Sequence, residues 1–197
     1  MSSQKTITNK EDIDRIKKYF IAQDTFAYDR HLLFFTIGIN TPLKPKELSC
    51  LKWTDILYNN NIVKDYIAYN GYKFYLNRNC KNAIMNHIDK WSTHKFVANN
   101  KFVFEGNKNT HITYNATNKV YQQMCIDLGL NLELTNMSLH KTFVYWQIYH
   151  CNRDYVKMSK LYYMTARNTD YRREKDINAY AEYDIHDDMI YINDVNL

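Results

Sequence analysis

A mainly α-helical domain with one small antiparallel β-sheet (α+β) is predicted by three features of this sequence. Apolar residues recur at helical spacing in most segments, and Asn70-Gly71 separates two strand-like runs. Hydrophobic residues make up 45% and charged residues 24% of 197 positions, enough for the core of one soluble domain.

The elements follow in chain order. Residues 1–9 are polar and expected to be disordered. Asn9 is placed to cap a helix over 10–23, with Ile13, Ile16, Phe20 and Ile21 as its apolar stripe. A second, strongly apolar helix covers 27–39 and is broken by Thr41-Pro42. A short helix in KPKELSCLK follows, then Trp53-Thr54-Asp55-Ile56. Residues 62–76 read as a hairpin, because a type I′ turn needs positive φ at both central positions and Asn-Gly supplies it. A helix over 79–91 groups Ala83, Ile84, His87, Ile88 and Trp91 on one side, and FVF at 102–104 is a candidate third strand. Helix 114–128 ends at Gly129, a C-cap residue; helices at 138–150 and 153–164 come next.

Composition narrows the function classes. No run of 18 apolar residues occurs, so no membrane span is expected, and the polar start MSSQKTITNKED lacks the apolar stretch of a signal peptide. Cys50, Cys80, Cys125 and Cys151 form no C-x-x-C pair, and the seven histidines show no ligand spacing, so no metal or other cofactor is expected. A reducing compartment, the cytoplasm of a bacterium or of a virus-infected cell, is the expected location. The 18 tyrosines share A/T-rich codons with Asn, Lys and Ile, so their number alone marks no aromatic binding surface. The formal charge is +5, yet residues 181–197 alone carry −5, which leaves +10 on residues 1–180. A basic body with an acidic tail fits a nucleic-acid partner.

Three stretches carry a family resemblance. LLFFTIGINTPLKPKELSCLKWTDI at 32–56 resembles an apolar helix leading into T-G-L-R-x-x-E-L and an L-x-W-x-D-I run. The 62–76 hairpin and its following helix resemble a β-hairpin with a Lys just before its turn. SLHKTFVYW at 138–146 resembles H-x-L-R-K-T-F. Together they are similar to the catalytic domain of tyrosine recombinases (phage integrases) over about residues 25–183, with 1–24 as a partly disordered N-terminal segment and 184–197 as an acidic tail.

The resemblance implies a chemistry and also its erosion. Family members cleave DNA by attack of a Tyr oxygen on a phosphate; two Arg grip the non-bridging oxygens and a Lys or His protonates the leaving oxygen. Here the first-box Arg falls on Lys44 and its Gly on Pro42. The hairpin Lys falls on Ala68 or Tyr69, with Lys73 the nearest substitute. The second-box His falls on Met137 and its Arg on His140, and a later His falls on Met164. Tyr171 is slightly early for the nucleophile; Tyr180 and Tyr183 are late. A Lys is a point charge without the planar fork of Arg, and a Met neither donates a proton nor carries charge.

The expected function is therefore a non-cleaving DNA-binding protein, a repressor-like regulator or an accessory factor of a phage or mobile element. The expected contacts to double-stranded DNA are Lys44, Lys46, Lys73, His140, Lys141, Arg167, Arg172 and Arg173. Two alternatives stand beside it. One is a divergent active recombinase using Lys44, Lys73, His140 and Tyr180; the other is a protein-interaction module without DNA. Each residue also has a plain structural reading: Lys44 and Lys46 as solvated surface, His140, Met137 and Met164 as packing. Full-length relatives add an N-terminal clamp domain, which residues 1–24 are too short to supply. The tail 184–197 is expected either to dock on a second copy, giving a homo-oligomer, or to fold back on its own basic surface or stay disordered.

Overall fold

The computed structural model describes residues 5–58, 61–69, 72–91, 101–106 and 109–151. Seven helices and one hairpin are found there: α1 Lys10–Ala22, α2 Phe26–Asn40, α3 Pro45–Ser49, α4 Trp53–Ile56, β1 Tyr66–Tyr69, β2 Tyr72–Tyr75, α5 Arg78–Lys90, α6 Tyr114–Asp127 and α7 Asn136–Cys151. The α+β class read from the sequence is the class observed.

Helix α2 is the axis of the core. His31 and every residue from Leu33 to Ile39 are buried, as expected of a helix that is apolar all round. It packs on α1, α3, α5 and α7. Gly38 allows the closest approach: a Cβ there would stand 2.9 Å from Cδ1 of Leu139 on α7 and 3.1 Å from Cδ2 of Leu48 on α3. Helices α2 and α3 thus meet the distant α7 at one glycine, and the stretches 32–56 and 138–146 are drawn together.

The short helices are set by their caps. Pro45 opens α3 with its φ already helical, and the Glu47 carboxylate accepts from the Lys44 backbone N–H at 2.8 Å. Asp55 does the same for the Lys52 N–H at 2.7 Å, which starts the single turn of α4. Asn9, Thr25, Asn77 and Thr113 cap the longer helices through side-chain oxygens. Gly129, at φ +60°, ends α6, and the Leu130 N–H closes the motif on the Cys125 carbonyl at 2.9 Å.

Five expectations need correction. The strands are shorter than 62–76: Val63 bridges back to Leu57, and Lys64 N–H bonds to the Ile56 carbonyl, so residues 62–64 pair with the end of α4 instead. The register closes on Tyr69↔Tyr72, the spacing a two-residue connection requires; residues 70–71 lie outside those described. The FVF segment forms no strand of this sheet. Phe102 makes an isolated bridge to Lys52, while Val103 and Phe104 turn inward as core. Ile21 leaves the apolar stripe, since it sits about 100° round the helix from buried Phe20 and is 58% exposed. Finally, residues 5–9 are tied down: Ile7 is fully buried, its N–H bonds to Thr142 Oγ1 and its carbonyl accepts from Trp146 Nε1, both at 3.0 Å. Helix α7 also starts two residues before the expected 138. The helix read at 153–164 lies outside the described residues.

Candidate nucleic-acid interface

The Thr41-Pro42 break turns the chain from α2 into α3. Thr41 is fully buried and its Oγ1 donates to the Ile37 carbonyl at 2.9 Å, which fixes the turn. Lys44 follows at the N-cap of α3, half-buried, and Lys46 in the first turn is exposed.

Helix α7 packs against α3 and brings His140 to this turn. The imidazole is 1% exposed and hydrogen-bonds the Pro42 carbonyl. Burial pushes its pKa down to about 4; the nearby Lys44 charge lowers it further, against the raising effect of that carbonyl. A ring that donates to a backbone oxygen and stays neutral at pH 7 is a packing and anchoring group. His140, which the sequence resemblance aligns with the second-box Arg, is therefore buried near Lys44 and not displayed at the surface. The first- and second-box positions are nonetheless brought within electrostatic reach of each other.

Lys141 is half-buried next along α7. Met137, half-buried in the first turn, packs on the core. Lys46, Pro45 and Ser49 line a cleft of about 380 Å³ together with His111, Tyr114 and Asn136.

The hairpin supplies the other expected group. Ala68 and Lys73 are direct cross-strand partners, and such partners share a face. The ammonium of Lys73 thus rises from the face on which a lysine at 68 would stand. It is exposed and lies 4.5 Å from the Tyr66 ring centroid. Met164, Arg167, Tyr171, Arg172, Arg173, Tyr180, Tyr183 and the tail lie outside the described residues.

Sequence reading missed one polar cluster. Buried His87 contacts the Asp29 carboxylate through Nδ1, stacks on Trp53 at 5.9 Å, and shares Asp29 with Lys90 at 3.8 Å. Burial pushes the Asp29 carboxyl up, but His87 and Lys90 together hold it below its ordinary value. No local pattern announces a pair 58 residues apart. Among the described residues no group of three or more His, Cys, Asp or Glu is arranged to hold a metal ion, and no helix is long and apolar enough to cross a membrane.

No family model and no curated protein matches the sequence. Solved structures do match the fold. XerA recombinase aligns with a TM-score of 0.59 and 12% identity over 97% of this chain and 66% of that one. The Tn1549 transposon integrase in complex with circular intermediate DNA aligns with a TM-score of 0.61 and 15% identity over 93% of this chain. A second complex of that integrase gives 0.59 and 17%. The chain spans 62% of each integrase chain, so it is similar to part of them.

Proposed function

We propose that this chain, whose fold is that of the tyrosine recombinase catalytic domain, is a non-cleaving DNA-binding protein that serves a phage or mobile element as a regulator or accessory factor. The observation that carries this reading is His140: neutral, buried and already committed to the Pro42 carbonyl. Phosphoryl transfer depends on charge aimed at the phosphorus in the transition state, and removing one such donor lowers the rate by ~10²–10³. At this site the second-box position offers no charge, Met137 offers no proton, and Lys44 offers a point charge in place of a fork.

Holding a duplex asks for less. Lys44, Lys46, Lys73 and Lys141, with Arg167, Arg172 and Arg173, would neutralise backbone phosphates, with His140 buried near Lys44. The acidic tail 184–197 would dock on a second copy. One observation favours the other reading, an active divergent enzyme acting through Tyr180: the Lys44 charge is near enough to His140 to lower its pKa. A suicide substrate with a nick separates the two. The expected result is salt-sensitive duplex binding, with a log–log slope of about −0.9 per neutralised phosphate, and no covalent adduct. An adduct that disappears in Tyr180→Phe would overturn the non-cleaving reading; a flat salt response would overturn DNA binding itself.

A further inference from the structure

The pairs Tyr66↔Tyr75 and Ala68↔Lys73 put these four side chains on one face of the hairpin, while Ile67 and Phe74 on the other face enter the core. The outward face is not idle surface. Tyr75 is 72% exposed. Its ring meets Tyr66 edge to face at 5.9 Å and 65°, and the Lys73 ammonium covers Tyr66 at 4.5 Å. One ring is therefore held by two neighbours and the other offers an open π-face beside a cation.

We propose that this face, Tyr66, Lys73 and Tyr75, binds single-stranded DNA by stacking an unpaired base on Tyr75 while Lys73 holds the adjoining phosphate. Three considerations select that occupant. Bases in a duplex stack on each other and present only their edges in the grooves, so a free ring face suits an unpaired base. The flanking sequence is basic: residues 58–81 hold Lys64, Lys73, Arg78 and Lys81 against Asp65 alone. Asp65 is already paired with Lys81 at 2.6 Å. An apolar protein partner would meet rings and a charge, with Ala68 the face's one aliphatic side chain. The A/T-rich coding bias accounts for how many tyrosines there are, not for Tyr75 standing outward two residues from Lys73. The choice of DNA over RNA rests on the duplex reading above.

Fluorescence polarisation of the full chain with labelled oligo(dT), oligo(U) and a mixed-sequence duplex tests this. Tyr75→Ala should weaken oligo(dT) binding about tenfold, Tyr75→Phe should retain it, and Tyr75→Leu should not restore it. Duplex affinity should stay within about twofold in all three, whereas Lys44→Ala should weaken duplex binding and spare oligo(dT). Unchanged oligo(dT) affinity in Tyr75→Ala, full affinity in Tyr75→Leu, or binding of oligo(U) alone would each overturn the proposal. If duplex binding is absent while oligo(dT) binding depends on Tyr75, the duplex reading fails and this one stands. Exposed Tyr75 leaves the unfolding midpoint of its variants as the control for folding.

Discussion

The junction of α3 with α7 and the β1–β2 hairpin both carry basic groups proposed above to meet phosphate, but they treat those groups in opposite ways. At the junction His140 is 1% exposed and loses its charge, and Lys44 near it is half-buried. On the hairpin, strands of four residues bury one face and leave Lys73 and Tyr75 in water. Position in the fold fixes where a group stands; burial decides whether it still carries charge there.

The largest effect should come from loosening the junction. Leu139→Ala removes the side chain that packs on Gly38 and should destabilise the domain by ~2–5 kcal/mol, read as the urea midpoint. A loss comparable to a surface substitution would mean that the boxes are not held together through this contact.

Next comes pH. His140 and His31 are both pushed down to about 4, by burial first and then by Lys44 and Arg30 respectively. The unfolded chain takes up these protons near the ordinary 6.5, the folded chain only near 4, so protonation favours unfolding in that window. Stability should be full above pH 6.5 and fall as the pH drops towards about 4, by on the order of 2–3 kcal/mol per histidine. His140→Gln keeps a donor for Pro42 and cannot titrate. It should flatten roughly half of that slope, and an unaltered profile would show that His140 is not the group involved.

Smaller changes belong to the hairpin. Lys73→Ala should leave the melting temperature in place and reduce the salt slope of duplex binding by about 0.9. An unchanged slope would remove Lys73 from the interface. The smallest effect is expected from Lys81→Ala, since its pair with Asp65 lies at the surface with the carboxylate 71% exposed; ~0–1 kcal/mol is the expected change in unfolding free energy.

These contrasts explain what could be read from the sequence. Helix positions were legible because caps and apolar spacing are local: Asn9, Thr41-Pro42 and Gly129 each sit within a residue or two of the boundary they mark. The antiparallel pairing of 66–69 with 72–75 was legible for the same reason. The inward turn of FVF and the return of residues 62–64 to α4 depend on partners elsewhere in the chain, which no local pattern encodes. For the candidate site, the resemblance singled out Lys44 and His140, but the fate of His140 depended on the Pro42 carbonyl, 98 positions away. Glu47 and Asp55 matched the first box, and their part in the described structure is to cap α3 and α4.

The anchoring of Ile7 has a kinetic consequence. Its two hydrogen bonds reach Thr142 and Trp146, one helical turn apart on α7, across sequence separations of 135 and 139 residues. The entropy of closing such a loop grows only with the logarithm of its length, so the clasp is affordable at equilibrium. In time, however, contacts of this span form after the local helices and slow the search. Thr142 belongs to the second-box stretch, so residue 7 is fastened to the very helix that carries His140. A ribosome emitting this chain exposes Ile7 long before its partners exist, and the finished fold is sealed only once α7 has been made.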